Sequence, residues 1–248
     1  MEMAHLLLHA GARVKALAGE ALDLAFPPPP PPPADAPARR IVRPFCARCG
    51  EPFPGMLPDA FLCTNCAERD HTLAWARAPW RAEGYVREAI HDFKYRGRFH
   101  LLGPLTDLLE DGFRQFAAGE AWDALVFVPL HPLRQRERGF NQAEELCREL
   151  GRRQRLPVLP LLRRVRPTEK QAWLTRGARL RNLTGAFACR EPSFLGRCLG
   201  KNTRFDANGL RLLLIDDVFT TGATAEACAR LLVSEGASRI AALTVARA

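Results

Sequence analysis

The segment 212–225, LLLIDDVFTTGATA, constrains this chain more than any other. Four large aliphatic residues in a row suit a strand buried on both faces, as in a parallel sheet. The strand would end at Ile215 and deliver two adjacent carboxylates, Asp216 and Asp217, to the carboxyl edge of the sheet, where open α/β sheets bind ligands. Neighbouring carboxylates in a crevice are costly unless they accept ligand hydroxyls or face a cation such as Mg²⁺. A run of small residues, Thr220-Thr221-Gly222-Ala223-Thr224, then opens a helix. Its backbone N–H groups, hydroxyls and helix-end field suit a phosphate dianion. Gly222 permits close backbone approach or a positive φ. The ATP-type P-loop is excluded, because no Gly-Lys-Ser/Thr terminus follows. A diol at the start of the loop and a phosphate at its end describe one ribose phosphate spanning it. A plain strand–turn–helix with a threonine cap would account for Gly222 and Thr224, but not for the acidic pair.

Other segments extend the α/β pattern. Residues 124–128 (ALVFV) and 240–246 read as strands, and 156–162 as a possible further one. Helical periodicity starts near Trp80 and continues through Tyr85, Ala89, Ile90 and Phe93; further helices are expected over 101–116, 141–153 with Asn141 as cap, and 224–235 ended by Gly236. Residues 129–140 read as a polar, basic loop and 165–188 as irregular. The expected class is α/β, a parallel sheet flanked by helices. Ahead of it lie a short amphipathic helix within 1–26, a rod of seven prolines at 27–33 and linker to residue 40. The expected division is 1–40 helix and linker, 41–70 cysteine module, and 80–248 main domain. His5 and His9 have i, i+4 spacing but no further ligand nearby, so they carry no metal site.

Charge narrows the partners. Between Arg134 and Arg181 there are 14 Lys/Arg and 5 Asp/Glu, which account for the whole formal charge of +9. Such clustering points to phosphate, pyrophosphate or nucleic acid, although arginines that merely solvate helix faces would look alike. No apolar run reaches the ~18 residues of a membrane helix, and the first residues lack the basic and apolar regions of a signal peptide. A cytoplasmic protein without membrane insertion is expected.

Two CxxC pairs, Cys46/Cys49 and Cys63/Cys66, are separated by 13 residues, the spacing of a zinc ribbon. Disulfides or a redox pair are the alternatives. Metal would supply much of the folding energy of so small a module. It could contact nucleic acid or a protein, or be purely structural. Cys147 and Cys228 fall in expected helices and read as core; Cys189 and Cys198 fall in 189–209, which reads as an insertion.

The 212–225 segment resembles the motif of type I phosphoribosyltransferases that binds phosphoribosyl pyrophosphate (PRPP). By that resemblance Asp216 and Asp217 hold the ribose 2′- and 3′-hydroxyls, and the loop Val218, Phe219, Thr220, Thr221, Gly222, Ala223 and Thr224 holds the 5′-phosphate. Mg²⁺ accompanies the pyrophosphate. The runs FVPLHPLRQRERGFNQAEELCREL at 127–150, QAWLTRGARLRNLTGAF at 171–187, the 84–97 stretch ending FKYRG, and the final ALTVARA are similar to the competence protein F (ComF) family, as is the paired-cysteine module. The loop after the first core strand would then grip pyrophosphate, with Arg134, Arg138 and Lys94 as candidate side chains, Arg96 behind them, and His131 as ligand or loop packing. The resemblance implies action on incoming single-stranded DNA in natural transformation, with other DNA-uptake proteins as partners. Two further readings stay open: a working phosphoribosyltransferase of unknown acceptor, and a PRPP-sensing regulator without turnover.

Overall fold

The computed structural model describes residues 39–68, 70–166, 185–190 and 207–248. The expectations for 1–26, the proline rod, most of 167–188, Cys198 and most of 189–209 lie outside the described residues.

In chain order the elements are α1 (Thr64–Ala67), β1 (Ala76–Arg77), β2 (Trp80–Arg81), α2 (Gly84–Arg96), α3 (Leu102–Gly112), β3 (Ala124–Phe127), α4 (Pro132–Arg138), α5 (Gln142–Gln154), β4 (Leu162–Arg164), β5 (Phe187–Cys189), β6 (Arg211–Phe219), α6 (Ala223–Ser234) and β7 (Arg239–Arg247). A 3₁₀ turn (Phe99–Leu101) precedes α3 and a π turn (Phe113–Ala117) follows it. Strands β1, β7, β6 and β3 lie side by side in that order, with β2 also on β7, and every pairing is parallel. Helices α3 and α5 pack on each other and on the sheet, while α6 packs on β7 and on β5. The architecture is therefore the expected parallel sheet flanked by helices.

Leu212, Leu213, Leu214 and Ile215 are all essentially inaccessible, which is why the central strand reads as a continuous apolar run. The pattern changes beyond Ile215. Strand β3 stops at Phe127, paired with Ile215, whereas β6 continues along β7 to Phe219. The acidic pair thus overhangs the end of β3, and the cleft opens there.

Several boundaries differ from expectation for physical reasons. Trp80 begins no helix; it pairs with Ala246 in β2, and α2 starts at Gly84. The basic loop 129–140 contains a helix, α4. His131 caps it by accepting from the Leu133 N–H, Pro132 presets the first turn, and Gly139 closes it in the left-handed region (φ +81°). Its residues are almost all exposed, so no apolar periodicity marks it. Between 156 and 162, Pro157 and Pro160 lack the N–H groups of a ladder. Val158 makes only one bridge, to Leu125, and the strand comes later as β4, antiparallel to β5. Cys189 belongs to β5 rather than to an insertion. Cys147 and Cys228 are buried in α5 and α6 as expected, and burial pushes both thiols up.

Candidate ribose-phosphate cleft and cysteine cluster

A cleft of about 430 Å³ opens at the carboxyl edge of the sheet. One wall is the overhang of β6, Asp216 to Val218, continuing to Thr220 and Thr224. The facing wall is basic: Arg134 and Arg138 of α4, His131 before it, and Arg164 of β4. Lys94 and Tyr95, from the last turn of α2, close a third side. Phe93 fixes that turn by packing its ring 5.1 Å from Phe140, which in turn lies 4.6 Å from Phe99. Asn141 caps α5 through the Ala143 N–H and donates to the Val128 carbonyl, tying the α4–α5 corner to the end of β3.

The two carboxylates are not equivalent. Lys94 Nζ donates to Asp217 Oδ2 at 2.6 Å, and both side chains are largely buried. Burial opposes the Lys94 ammonium, yet the Asp217 carboxylate holds it above an ordinary lysine. Burial would likewise raise Asp217, but Lys94 holds it below the usual carboxylate range. Lys94 acts on Asp216 only through its charge, which does not offset burial. Burial first, and the neighbouring Asp217 charge second, push the Asp216 carboxyl well above that range. The Asp217 N–H donates to Asp216 Oδ1 at 2.9 Å, fixing the pair's relative orientation. The edge therefore offers one ionised and one readily protonated carboxyl, a pairing suited to a neutral diol.

Removing one member of a buried ion pair strands the other, at about 3–5 kcal/mol. Lys94→Met is expected to lose stability of this order at pH 7 in urea unfolding. The depressed Asp217 contributes stability above its unfolded pKa and loses it as pH falls through the folded value. The deficit of Lys94→Met against wild type should therefore shrink as pH falls below the ordinary aspartate value of 3.8.

The turn between β6 and α6 is short. Val218 and Phe219 belong to β6, so the turn is Thr220–Gly222 and Ala223 opens α6. Gly222 has φ +76°, and a Cβ there would meet the Phe219 ring at 2.6 Å. Both conformation and space restrict that position to glycine. Asp216, Asp217, Val218, Thr220, Thr224, Lys94, Arg134 and Arg138 all line the one cleft. Thr221, Gly222 and Ala223 instead border a smaller cavity of about 40 Å³ behind the turn, alongside buried Phe219. Arg96 faces elsewhere, paired with Asp92. Sequence reading missed Tyr95, Gln142 and Arg164 as cleft residues. Only the basic run 163–166 could have signalled Arg164, since the hairpin that carries it has no motif of its own.

The four cysteines converge as their spacing predicts. Their Sγ atoms all lie within 4.8 Å of one another and all four residues are buried. The Cys66 hydrogen bond holds the Cys49 thiol down to about 5, while burial pushes Cys63 up. A closed set of four sulfurs with this proximity fits a tetrahedral soft-metal site. The cluster is docked on the main sheet: buried Arg247, from β7, donates to the Cys49 carbonyl at 2.7 Å, pairs with Glu51, and lies 5.0 Å from the Phe219 ring.

The sequence is similar over most of its length to three curated proteins. It is 28% identical to competence protein ComFC of Bacillus subtilis over 69% of this chain and 63% of that protein. It is 29% identical to competence protein F of Haemophilus influenzae over 83% of this chain and 85% of that protein. The chain is thus similar to proteins of the ComF family. DNA utilization protein YhgH of Escherichia coli K12 is 28% identical over 82% of this chain and 84% of its own length. The chain spans just under two thirds of ComFC and more of the others. No protein-family model matches it. A solved structure of glutamine PRPP amidotransferase from Bacillus subtilis, complexed with ADP and GMP, aligns over 62% of this chain and 30% of that one, with 15% identity and a TM-score of 0.36. That likeness is too slight to define the fold, which rests on the strand order above. Among the described residues no helix is long and apolar enough to cross a membrane.

Proposed function

We propose that this chain belongs to the ComF family, binds PRPP with Mg²⁺ in the cleft at the end of β6, binds single-stranded DNA, and serves DNA uptake or utilisation in the cytoplasm. The observation that carries this reading is the single cleft with an acidic wall, a threonine-rich turn and a facing arginine wall. Asp216 and Asp217 would take the ribose hydroxyls. Thr220 and Thr224 would take the 5′-phosphate at the start of α6, where unpaired backbone N–H groups favour an anion. Arg134, Arg138 and Arg164 would take pyrophosphate, and Arg suits that role because its fork of donors matches phosphate oxygens. The carboxylates available to a pyrophosphate-bound Mg²⁺ are those of the same pair, and the ion would supply counter-charge there.

The name competence protein, carried by two relatives, and DNA utilization, carried by the third, support the DNA part. So does the basic stretch that begins in α4. Zinc in the Cys46, Cys49, Cys63 and Cys66 cluster would be structural, with every ligand position filled by sulfur. The module at 41–70 and the domain at 80–248 would then act as one docked unit through Arg247.

Titration calorimetry with PRPP, with and without Mg²⁺, tests the central claim. Saturable one-site binding is expected, stronger with the ion. Absence of binding in both conditions would remove PRPP from the reading. Pyrophosphate release measured on the same sample would show whether binding leads to turnover.

A further inference from the structure

The proposed cleft has an aromatic rim that its ribose-phosphate chemistry leaves unused. Tyr95 lines the cleft yet stays 47% exposed. It directly follows Lys94, so the same helical turn that anchors Asp217 also presents a phenol ring at the cleft mouth. The Arg138 guanidinium lies 4.8 Å from the ring centroid. The His91 ring, one turn earlier on α2, sits 4.9 Å away at a 47° tilt. Arg138 is itself held by a 2.9 Å hydrogen bond to Gln142 Oε1, which fixes its position over the ring.

A half-exposed tyrosine contributes little to a core. The aromatic face, the guanidinium plane and the imidazole all stack on heteroaromatic rings, and stacking tolerates any base. On α4 Arg134 lies one turn before Arg138 on the same helix face, so two guanidinium groups follow one another along the cleft wall as a track for successive phosphates. A track of this kind suits a polynucleotide better than a single nucleotide.

We propose that Tyr95, with Arg138 and His91 beside it, is a base-stacking platform for single-stranded nucleic acid entering the cleft. The inference rests on the reading of that cleft as a ribose-phosphate site and adds the base-recognising part. Stacking is worth roughly 1–3 kcal/mol per base, or roughly 5- to 150-fold in affinity.

The test is fluorescence anisotropy of a labelled oligothymidylate with the full chain across a salt series. Tyr95→Leu should weaken binding within that range and leave the slope of log K against log salt unchanged, because a neutral side chain releases no counterions. Tyr95→Phe should bind within about threefold of wild type, since the ring is kept. Arg138→Gln should reduce the slope by about 0.7, one phosphate contact on a single strand. Unaltered binding by Tyr95→Leu, equal weakness of Tyr95→Phe, or no salt-dependent binding by wild type would each overturn the proposal. So would thymidine monophosphate competing as well as the oligomer, which would make the ligand a mononucleotide. Calorimetry of the wild type with PRPP reports separately. Oligonucleotide binding that depends on Tyr95 without PRPP binding would sink the ribose-phosphate reading and uphold the platform.

Discussion

Asp216→Asn/Asp217→Asn protein is expected to bind PRPP at least ~100-fold more weakly than wild type. Hydrogen bonds to charged groups contribute about 1.5–3 kcal/mol each, and the double substitution removes the ionised Asp217 acceptor together with the carboxyl of Asp216 from the diol. The two positions should differ in their effect on the fold. Asp217 is the buried partner of Lys94, so neutralising it strands an ammonium and costs stability. Asp216 is already pushed toward its neutral form by burial, so Asp216→Asn should unfold at close to the wild-type temperature. That single variant therefore separates loss of ligand from loss of structure. The same asymmetry gives a pH signature. If the ligand requires ionised Asp216, PRPP affinity rises with pH through the raised titration of that carboxyl, and Asp216→Asn abolishes this component. Binding by the double variant at wild-type strength, measured by calorimetry at pH 7.5, would place the ribose elsewhere.

The β6 region was the most legible part of the chain because three independent signals coincide there. A run of four aliphatics gives a buried parallel strand, two acids mark its exit, and a glycine that must take φ +76° marks the turn. Each follows from local chemistry. The cysteine pairs were legible for a similar reason, since two CxxC knuckles at this spacing can bring four sulfurs together, and they do. What escaped reading depends on tertiary context. Helix α4 is solvated on almost every side and so lacks the apolar period that betrays other helices. Strand β4 is displaced by two prolines whose effect on pairing becomes definite only when a partner strand is known. Tyr95 and Arg164 reach the cleft from elements distant in sequence; the FKYRG match marks the segment around Tyr95 but gives its ring no role, and nothing local distinguishes Arg164 from an ordinary surface side chain. Parallel pairing with β7 carries the strand on to Phe219, whose ring is needed under Gly222 and beside Arg247.

Stripping metal from the cysteine cluster should have the other large effect, and it should reach the main domain. The cluster packs as part of the main hydrophobic core, and its backbone is held from outside by side chains of the sheet. Arg77 donates to the Ala47 carbonyl at 2.8 Å, and burial lowers its guanidinium to about 10. Arg247 donates to the Cys49 carbonyl, with its charge answered by Glu51. Four sulfurs this close repel once more than one is ionised, so an ion must balance them for the knuckles to keep their shape. When the knuckles open, Arg247 loses both the Cys49 carbonyl and its Glu51 partner, which sit on the same module, while remaining at the end of β7 against the Phe219 ring. An uncompensated buried arginine destabilises by several kcal/mol, and for a chain of this length each kcal/mol shifts Tm by roughly 2–4 °C. Protein purified with about one zinc per chain should therefore lose at least ~10 °C of Tm on treatment with a strong chelator, and Cys63→Ser should resemble it. Calorimetric scans paired with metal analysis decide the matter. A metal-free chain that melts at the same temperature as the untreated protein would show that the sulfur cluster holds its shape without an ion, and the link from Cys49 through Arg247 to the phosphate turn would then carry no metal dependence.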